Sequence, residues 1–392
     1  MLIDHRAAVL IQPRRMITLP TRRHFLHSSL SLSSLLLADS ALAQSASKKV
    51  GKKGYATGVR GLITPAKLAE LGEKYDVSHV ASYDDFDRLL GQNIVDAVYI
   101  ALPNSMHREY TERAARAGVH VLCEKPMAVT EADCEAMIRA TRDAGVKLMI
   151  AYRLHFEEAN LKAIELARSG ALGELRFFSS LFAQQVKPGD IRLQRALGGG
   201  PLSDIGIYCI NAARCLFQAE PVEVMAAAAT FDESRFQEVD EMVAATLRFP
   251  GDRLASFTCS FGAASVSTYQ LVGTLGDVRL DPAYEIAETL MLFETINEKT
   301  KEHKYRRRDQ FAPELLYFSQ CILENKEPEP SGREGLADVR VIRALERSLE
   351  EGQPVKLSRF DKGPRPELAQ EIRRPPVSMP ELIHASPPSG SS

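Results

Sequence analysis

Short apolar runs that alternate with helical patterns organise the first half of the chain. The runs extend over Ala97 to Leu102, Val119 to Cys123 and Lys147 to Tyr152. Uninterrupted apolar runs of this length are typical of parallel strands that are buried on both faces. Between the last two runs, apolar positions recur at helical spacing from Cys134, and Gly145 ends that helix. The alternation predicts a parallel α/β sheet.

The segment before these runs has a weaker pattern. Residues 44–61 are rich in Lys and Gly and hold no run of four apolar residues, so we expect them to be irregular. A helix is then predicted to begin at Pro65 with Thr64 as its cap, because proline is favoured at the first helical position.

The pattern changes after Arg153. Apolar and polar residues alternate strictly in 243–249 and 255–261, and a turn at 250–252 joins the two segments, which predicts antiparallel strands with one exposed face. The expected fold is α/β plus α+β. Residues 44–152 would form the parallel-sheet domain, 153–360 a C-terminal α+β domain with an open, mainly antiparallel sheet, and 361–392 an extended Pro-rich tail.

The N-terminus has the order of features found in an export signal. Arg22 and Arg23 precede a moderately apolar, Ser-rich stretch from Ser28 to Ala38, and Ala41-Leu42-Ala43 follows as a small-x-small cleavage signature. The order predicts a twin-arginine signal peptide over residues 1–43 and a periplasmic protein. The alternative is an accidental arginine pair in a disordered leader.

Composition narrows the possible partners. A formal net charge of −2 argues against nucleic acid as the main partner, and no apolar run approaches the length of a membrane span, so no membrane anchor is expected. The six cysteines show no paired metal-ligand spacing, and no metal site is predicted. Their apolar surroundings favour buried thiols over disulfides.

Lys125 is the first candidate for chemistry. It follows the strand 119–123 directly and precedes Pro126, which stiffens the backbone at that point. Ligands of open α/β sheets bind beyond the carboxyl ends of the strands, so the ammonium group would point into the expected cofactor crevice. The alternative is a surface lysine paired with Glu124 for structural reasons.

A glycine triplet followed by a carboxylate and a phenol is the second candidate. Three glycines at 198–200 allow a close approach of the backbone, and Asp204 and Tyr208 lie one helical turn apart on the helix that follows. A phenol beside a lysine can accept or return the proton of a carbinol while hydride is transferred. A glycine turn followed by an ordinary core tyrosine is the alternative.

Four motifs, in this order, resemble the glucose-fructose oxidoreductase and inositol dehydrogenase (Gfo/Idh/MocA) family. They are LPNSMH at 102–107, EKPMA at 124–128, YRLHF at 152–156 and GGGPLSDIGIY at 198–208. The resemblance covers about residues 64–357. It is greatest with the glucose-fructose oxidoreductase branch, because that branch carries tyrosine at the position of Tyr208, where many other members carry histidine.

The resemblance implies an exported, Rossmann-type oxidoreductase of sugars or polyols that uses NADP, or alternatively NAD. By similarity, Tyr208 would be the catalytic acid/base, Lys125 would orient or help to deprotonate the reacting hydroxyl, and Asp204 would anchor a sugar hydroxyl and tune its neighbours. The cofactor side would be lined, together with Lys125, by Pro103, Asn104, His107, Glu124 and Arg153. The open sheet would hold the subunits of a homodimer or homotetramer together.

The start of the first domain departs from the family pattern. The family begins with a strand, a glycine-rich phosphate-binding turn, a helix and a second strand, a unit of about thirty residues that does not fit within 44–63. Gly54, Gly58 and Gly61 have the spacing G-x-x-x-G-x-x-G instead of G-x-G-x-x-G. Two interpretations stay open: a sugar oxidoreductase with an incomplete Rossmann-type domain, or a non-catalytic sugar-binding relative without a dinucleotide site.

Overall fold

Two sheets divide the molecule. The computed structural model describes residues 8–11, 55–58, 65–75, 77 and 79–377. Within them the first sheet has six strands and the second has nine. The strands of the first sheet are β1 (Ala8–Ile11), β2 (Tyr55–Gly58), β3 (His79–Ser82), β4 (Ala97–Ile100), β5 (His120–Glu124) and β6 (Leu148–Ala151). The predicted α/β plus α+β class is confirmed.

The first sheet is parallel where the sequence pattern was strongest. Its order is β3-β1-β2-β4-β5-β6, and the pairs β2–β4, β4–β5 and β5–β6 are parallel. Strands β4 and β6 are buried along their whole length, as uninterrupted apolar runs predict. Strand β1, which lies outside the predicted domain 44–152, pairs antiparallel with both β2 and β3.

The expectation that residues 44–61 are irregular is wrong for β2. Tyr55, Ala56 and Thr57 pair in parallel with Ala97, Val98 and Tyr99 of β4. Backbone groups at the edge of β4 need partners, and backbone pairing does not require a run of apolar side chains. The rule that demanded four apolar residues therefore missed this strand. Gly58 ends β2, whereas Gly54, Gly61 and the predicted cap Thr64 lie outside the described residues.

Helices follow the strands of the first sheet in the predicted order. They are α1 (Pro65–Lys74), α2 (Phe86–Gly91), α3 (His107–Arg116) and α4 (Glu131–Asp143). The α4 cap shows the local chemistry best: the Thr130 hydroxyl accepts a hydrogen bond from the Asp133 backbone N–H at 3.1 Å. These helices fix the carboxyl ends of β4 and β5, where the candidate lysine lies.

The second sheet is mixed and mostly antiparallel. Its strands are β7 (Leu175–Ala183), β8 (Glu223–Ala229), β9 (Met242–Phe249), β10 (Arg253–Ser260), β11 (Val266–Gly273), β12 (Gly276–Leu280), β13 (Leu290–Ile296), β14 (Lys299–Tyr305) and β15 (Val355–Lys356). The order is β14-β13-β12-β11-β7-β10-β9-β8-β15, and only β7–β10 is parallel among these described strands. The alternating burial of β9 confirms the predicted exposed face.

Four further helices complete the described part of the chain; three of them pack on this sheet, whereas the third in chain order packs on the first sheet through Leu315 and Phe318. They are α5 (Glu158–Ser169), α6 (Ile207–Phe217), α7 (Ala312–Leu323) and α8 (Gly332–Glu351). A single π-helical turn, Leu202–Gly206, leads into α6. None of the helices in the described part of the chain is long and apolar enough to cross a membrane.

The C-terminal segment is extended but packed. Residues 357–377 contain only one short 3-10 turn, Leu368–Gln370, as the predicted extended tail implies. Lys362 is nevertheless almost completely buried, with 3% exposure. We call residues 357–377 the C-terminal strap. All six cysteines are buried free thiols, which confirms that prediction.

Candidate active site

Lys125 lies directly beyond β5, where the sequence analysis placed it. Its side chain is buried, and its Nζ donates hydrogen bonds to the backbone carbonyl of Asp204 at 2.6 Å and to Asp204 Oδ1 at 3.2 Å. The alternative of a surface lysine is therefore wrong. The ammonium group joins the strand ends of the first domain to the helix entrance of the second.

Tyr208 lies in the first turn of α6, next to two cations. Lys125 Nζ lies 4.7 Å and the Arg153 guanidinium carbon 5.0 Å from the centre of its ring. Arg153 Nε also donates to the phenol oxygen at 3.3 Å. Phe182 and Tyr284 pack against the ring at 5.5 and 5.8 Å between centroids. This setting fixes the ring and places a guanidinium donor on the phenol oxygen.

Asp204 connects Lys125 to a residue that the sequence analysis missed. The carboxylate is 8% exposed; its Oδ1 faces Lys125, and its Oδ2 accepts a hydrogen bond from Arg192 Nε at 2.7 Å. The glycine triplet makes this approach possible: Gly200 N–H donates to the Arg192 carbonyl at 2.9 Å, and a Cβ on Gly199 would collide with that carbonyl. Arg192 lies in a segment without apolar periodicity. The glycine triplet at 198–200 was the one signal in the sequence that indicated a close backbone contact here.

Three of the residues assigned to the cofactor side hold the strand ends together. His107 is fully buried, and its ring bridges the carbonyls of Leu102 at 2.9 Å and Pro126 at 3.0 Å. Glu124 accepts hydrogen bonds from the Tyr99 hydroxyl at 2.5 Å and from the backbone N–H of Lys125 at 3.2 Å. Pro103 begins the turn between β4 and α3. They fix the orientation of the crevice wall.

Asn104 fits a nicotinamide ligand. Its Nδ2 donates to the Gly198 carbonyl at 2.8 Å, which holds the turn after β4 against the glycine triplet. Its Oδ1 is buried and has no hydrogen-bond partner among the described residues. A buried acceptor without a partner is costly, and the carboxamide of a nicotinamide is a suitable donor. The residues present at this strand end therefore fit the cofactor.

Arg153 lies on the phenol side of the site. Besides Tyr208, its guanidinium donates to the Tyr284 backbone carbonyl at 2.5 Å and to Gln310 Oε1. These partners come from the loop after β12 and the loop before α7, so Arg153 connects both to the phenol. The family motif gave its position in the sequence, and tertiary contacts determine what it touches.

A small cavity of about 30 Å³ lies behind the phenol, between α6 and the turn after β6. Lys125, Arg153 and Tyr208 line one end, and His155, Asn211 and Cys215 line the other. Its volume suits a water molecule but not a sugar. The sugar that the family resemblance implies would therefore have to reach Tyr208 from outside this cavity.

A buried charge network lies beyond this cavity. Its carboxylates pair with cationic groups at 3.3 Å or less. The members are Glu220, Glu329, Glu334, Asp338, His155, Arg214, Lys362 and Arg365. Burial alone would lower the pKa of His155, but the adjacent Cys215 and Glu329 raise it to about 10. Four carboxylates thus meet four cations, and the buried charges balance.

The same network contains three potential metal donors. The donor atoms of His155, Cys215 and Glu334 lie within 4.8 Å of one another. Both oxygens of Glu334 already face cations, because Arg214 lies 2.8 Å from Oε1 and Lys362 lies against Oε2. With a pKa near 10, His155 is protonated at neutral pH. The cluster is arranged as a set of ion pairs.

Two family profiles match the chain. Residues 51–152 match the oxidoreductase family with an NAD-binding Rossmann fold, and residues 160–279 match the GFO/IDH/MocA C-terminal domain.

Individual relatives are similar over most of their length. The NADP⁺-dependent D-xylose 1-dehydrogenase of Haloarcula marismortui is 34% identical over 287 residues, which span 72% of this chain and 80% of the relative. The structure is similar to that of aldose-aldose oxidoreductase from Caulobacter crescentus in complex with glycerol. The identity is 43% and the TM-score 0.72, and the match covers 76% of this chain and 90% of the other. The 3-ketoreductase KijD10 from Actinomadura kijaniata, in complex with NADP and TDP-benzene, is 26% identical, with a TM-score of 0.66 and coverage of 72% and 86%.

Proposed function

We propose that this chain, which belongs to the GFO/IDH/MocA family of NAD(P)-dependent oxidoreductases, oxidises an aldose with NADP. The observation that carries the proposal is the convergence of Lys125, Tyr208 and Asp204 at the carboxyl end of β5. The substrate class is supported by two relatives, a D-xylose dehydrogenase that uses NADP⁺ and an aldose-aldose oxidoreductase. Oxidation would occur at the hydroxyl-bearing anomeric carbon and give a lactone.

The proton and the hydride leave the sugar in different directions. The nicotinamide supplies the hydride acceptor when NADP is bound, and Asn104 would take part in holding it. Tyr208, as the phenolate, accepts the hydroxyl proton on its phenol oxygen and becomes neutral; Arg153 at 3.3 Å stabilises the charge that this oxygen carries before the transfer. Lys125, held by Asp204, orients the hydroxyl toward Tyr208. The C–H bond is then free to deliver its electron pair to the cofactor.

An aldose assay tests this proposal. We expect the purified full chain to form NADPH from NADP⁺ with D-xylose or D-glucose. If one bound cofactor serves two sugars, as in a glucose-fructose oxidoreductase, the chain should instead convert aldose mixtures to lactone and alditol without added cofactor. If the chain shows neither activity and releases no NADP(H) on denaturation, the proposed function is refuted.

Export through the twin-arginine route is part of the proposal. Arg22-Arg23, the apolar stretch and the Ala41-Leu42-Ala43 signature support it. The route carries folded proteins, which suits an enzyme that must acquire its cofactor before export.

Association through the open sheet face is also part of the proposal. Large apolar side chains on this face are strongly exposed: Phe177 by 48%, Leu181 by 46% and Met225 by 49%. Ser and Thr side chains lie between them, and the surface has a cavity of about 720 Å³. Exposed apolar patches of this kind are typical of interaction sites. Pairing with the same face of a second subunit would bury the patches of both subunits.

One preparation checks both proposals. Osmotic shock of producing cells should release a mature chain that begins after Ala43 and therefore lacks β1, and a version with Arg22 and Arg23 both replaced by lysine should stay inside the cells. The released protein should sediment as a dimer or tetramer, and Leu181→Lys should weaken the association. Retention of the unaltered chain would refute export, and a monomer would refute the interface.

A further inference from the structure

Arg192 is buried next to the proposed catalytic group without touching Lys125 or Tyr208 in any described contact. Its side chain is 10% exposed. Nε donates to Asp204 Oδ2 at 2.7 Å, and Nη1 lies 3.2 Å from both carboxylate oxygens of Asp190. The guanidinium therefore lies between two carboxylates, and one of these is the partner of Lys125.

The backbone fixes the position of Arg192 as firmly as the ion pairs do. Its N–H donates to Asp190 Oδ1 at 2.9 Å, and its carbonyl accepts a hydrogen bond from Gly200 N–H at 2.9 Å. The absence of a side chain on Gly199 is what allows this carbonyl to lie so close. The glycine triplet thus serves to hold Arg192 against Asp204.

The two oxygens of Asp204 are divided between two cations. Oδ1 lies 3.2 Å from Lys125 Nζ, and Oδ2 accepts from Arg192 at the shorter distance of 2.7 Å. Although burial alone would lower the pKa of Arg192, the charges of Asp204 and Asp190 raise it, so the guanidinium stays charged. The positive charge of Arg192 therefore offsets part of the field that the Asp204 carboxylate exerts at Lys125.

We propose that Arg192 is a positioning residue that holds Asp204 and competes with Lys125 for its charge, thereby setting the pH range in which the adjacent Lys125 and Tyr208 together take up the hydroxyl proton. The inference builds on the proposed oxidation. Other charges near Lys125 lie on every side. They are Glu124 on its own strand, with Glu314 near it, Tyr208 and Asp204 at the entrance of α6, Arg153 across the phenol ring, and Asp190 behind Arg192.

The pH profile of kcat tests the proposal. In Arg192→Gln, Asp204 loses one of its two cationic partners and pairs with Lys125 alone. The part of the profile in which kcat rises with pH should then move to higher pH by roughly one unit. The loss of one nearby positive charge produces a shift of this size at an effective dielectric near 20. Arg192→Lys keeps the charge and should restore the pH profile. Its kcat should be lower, because one ammonium group cannot replace both the Nε contact with Asp204 and the Nη1 contacts with Asp190.

Two comparisons separate this effect from general damage. Arg195→Gln, in the same loop but tied to Glu238 at the surface, should leave both kcat and the pH profile unchanged. A lower melting temperature of Arg192→Gln without a shifted pH profile would mean that Arg192 is only structural, and would overturn the proposal.

If the unaltered chain oxidises no aldose, the proposed function fails separately from this inference. The NMR titration of [13Cε]lysine-labelled protein, assigned with Lys125→Met, then gives the outcome. Equal Lys125 midpoints in the unaltered chain and in Arg192→Gln would overturn the inference.

Discussion

Tyr208→Phe is expected to lower kcat about 10²–10⁴-fold, the usual contribution of a positioned acid or base. The ring would stay in place, since Phe182 and Tyr284 pack against it and Lys125 lies 4.7 Å from its centre. Only the hydroxyl that accepts the sugar proton is removed. Binding of the sugar uses other groups, so KM should change little. Steady-state assays with an aldose and NADP⁺ measure both constants.

A second tyrosine provides the matched control. Tyr284 lies 5.8 Å from Tyr208 between ring centres, and its hydroxyl is hydrogen-bonded to Ser180 at 2.7 Å instead of facing the reacting group. Tyr284→Phe should lose some stability but keep kcat within about twofold, because no proton transfer depends on it. A Tyr208→Phe enzyme with the same kcat as the Tyr284→Phe enzyme would mean that the phenol is not the acid/base.

Lys362→Met is expected to destabilise the protein by about 3–5 kcal/mol, the cost of removing one partner from a buried ion pair. Nζ lies 2.9 Å from Glu329 Oε1 and also contacts Glu334, and the Lys362 side chain is 1% exposed. Methionine fills a similar volume without charge and leaves one carboxylate uncompensated. Denaturant unfolding at pH 7 measures the difference. Lys356→Met, exposed on β15, should change the free energy of unfolding by less than about 0.5 kcal/mol.

The difference in stability should narrow in acid. Burial alone would raise the pKa of Glu334, but Arg214 and Lys362 outweigh it and lower that pKa. A lowered carboxyl pKa adds stability above the unfolded value, and this contribution is lost as the pH falls through the folded value. Without Lys362 the pKa of Glu334 rises, so the variant can neutralise this carboxylate where the unaltered chain cannot. A deficit that is constant from pH 7 to pH 4 would exclude this origin.

The pattern of apolar residues in the sequence predicted most of the fold. Strands β4, β5 and β6 and the hairpin of β9 and β10 were expected within a few residues, because each buries a whole strand or one regular face. Strands β8 and β14 were not predicted. The alanine run of β8 favours a helix, and pairing with β9 overrides that preference. Strand β14 is highly charged, which suits the edge of a sheet but hides its periodicity.

The candidate site was predictable only where a motif existed. Lys125, Asp204 and Tyr208 come together as the family motifs suggested. Arg192 and Lys362 could not be predicted, because their partners lie 12 and about 30 residues away and no local pattern indicates which charges will be buried together. Long-range neutralisation of carboxylates, unlike strand burial, leaves no periodic signal in the sequence.

The place of the C-terminal strap in the chain has a consequence for folding during synthesis. Lys362 and Arg365, which neutralise Glu334, Glu329 and Glu220, leave the ribosome after both domains have been made. Until then the network beside α6 carries excess negative charge, so the helix that presents Tyr208 cannot reach its final stability. This domain can therefore complete its packing only after residues 362–365 have been made. A chain cut before residue 362 would keep the family motifs but lack two of the four cations that balance the buried carboxylates.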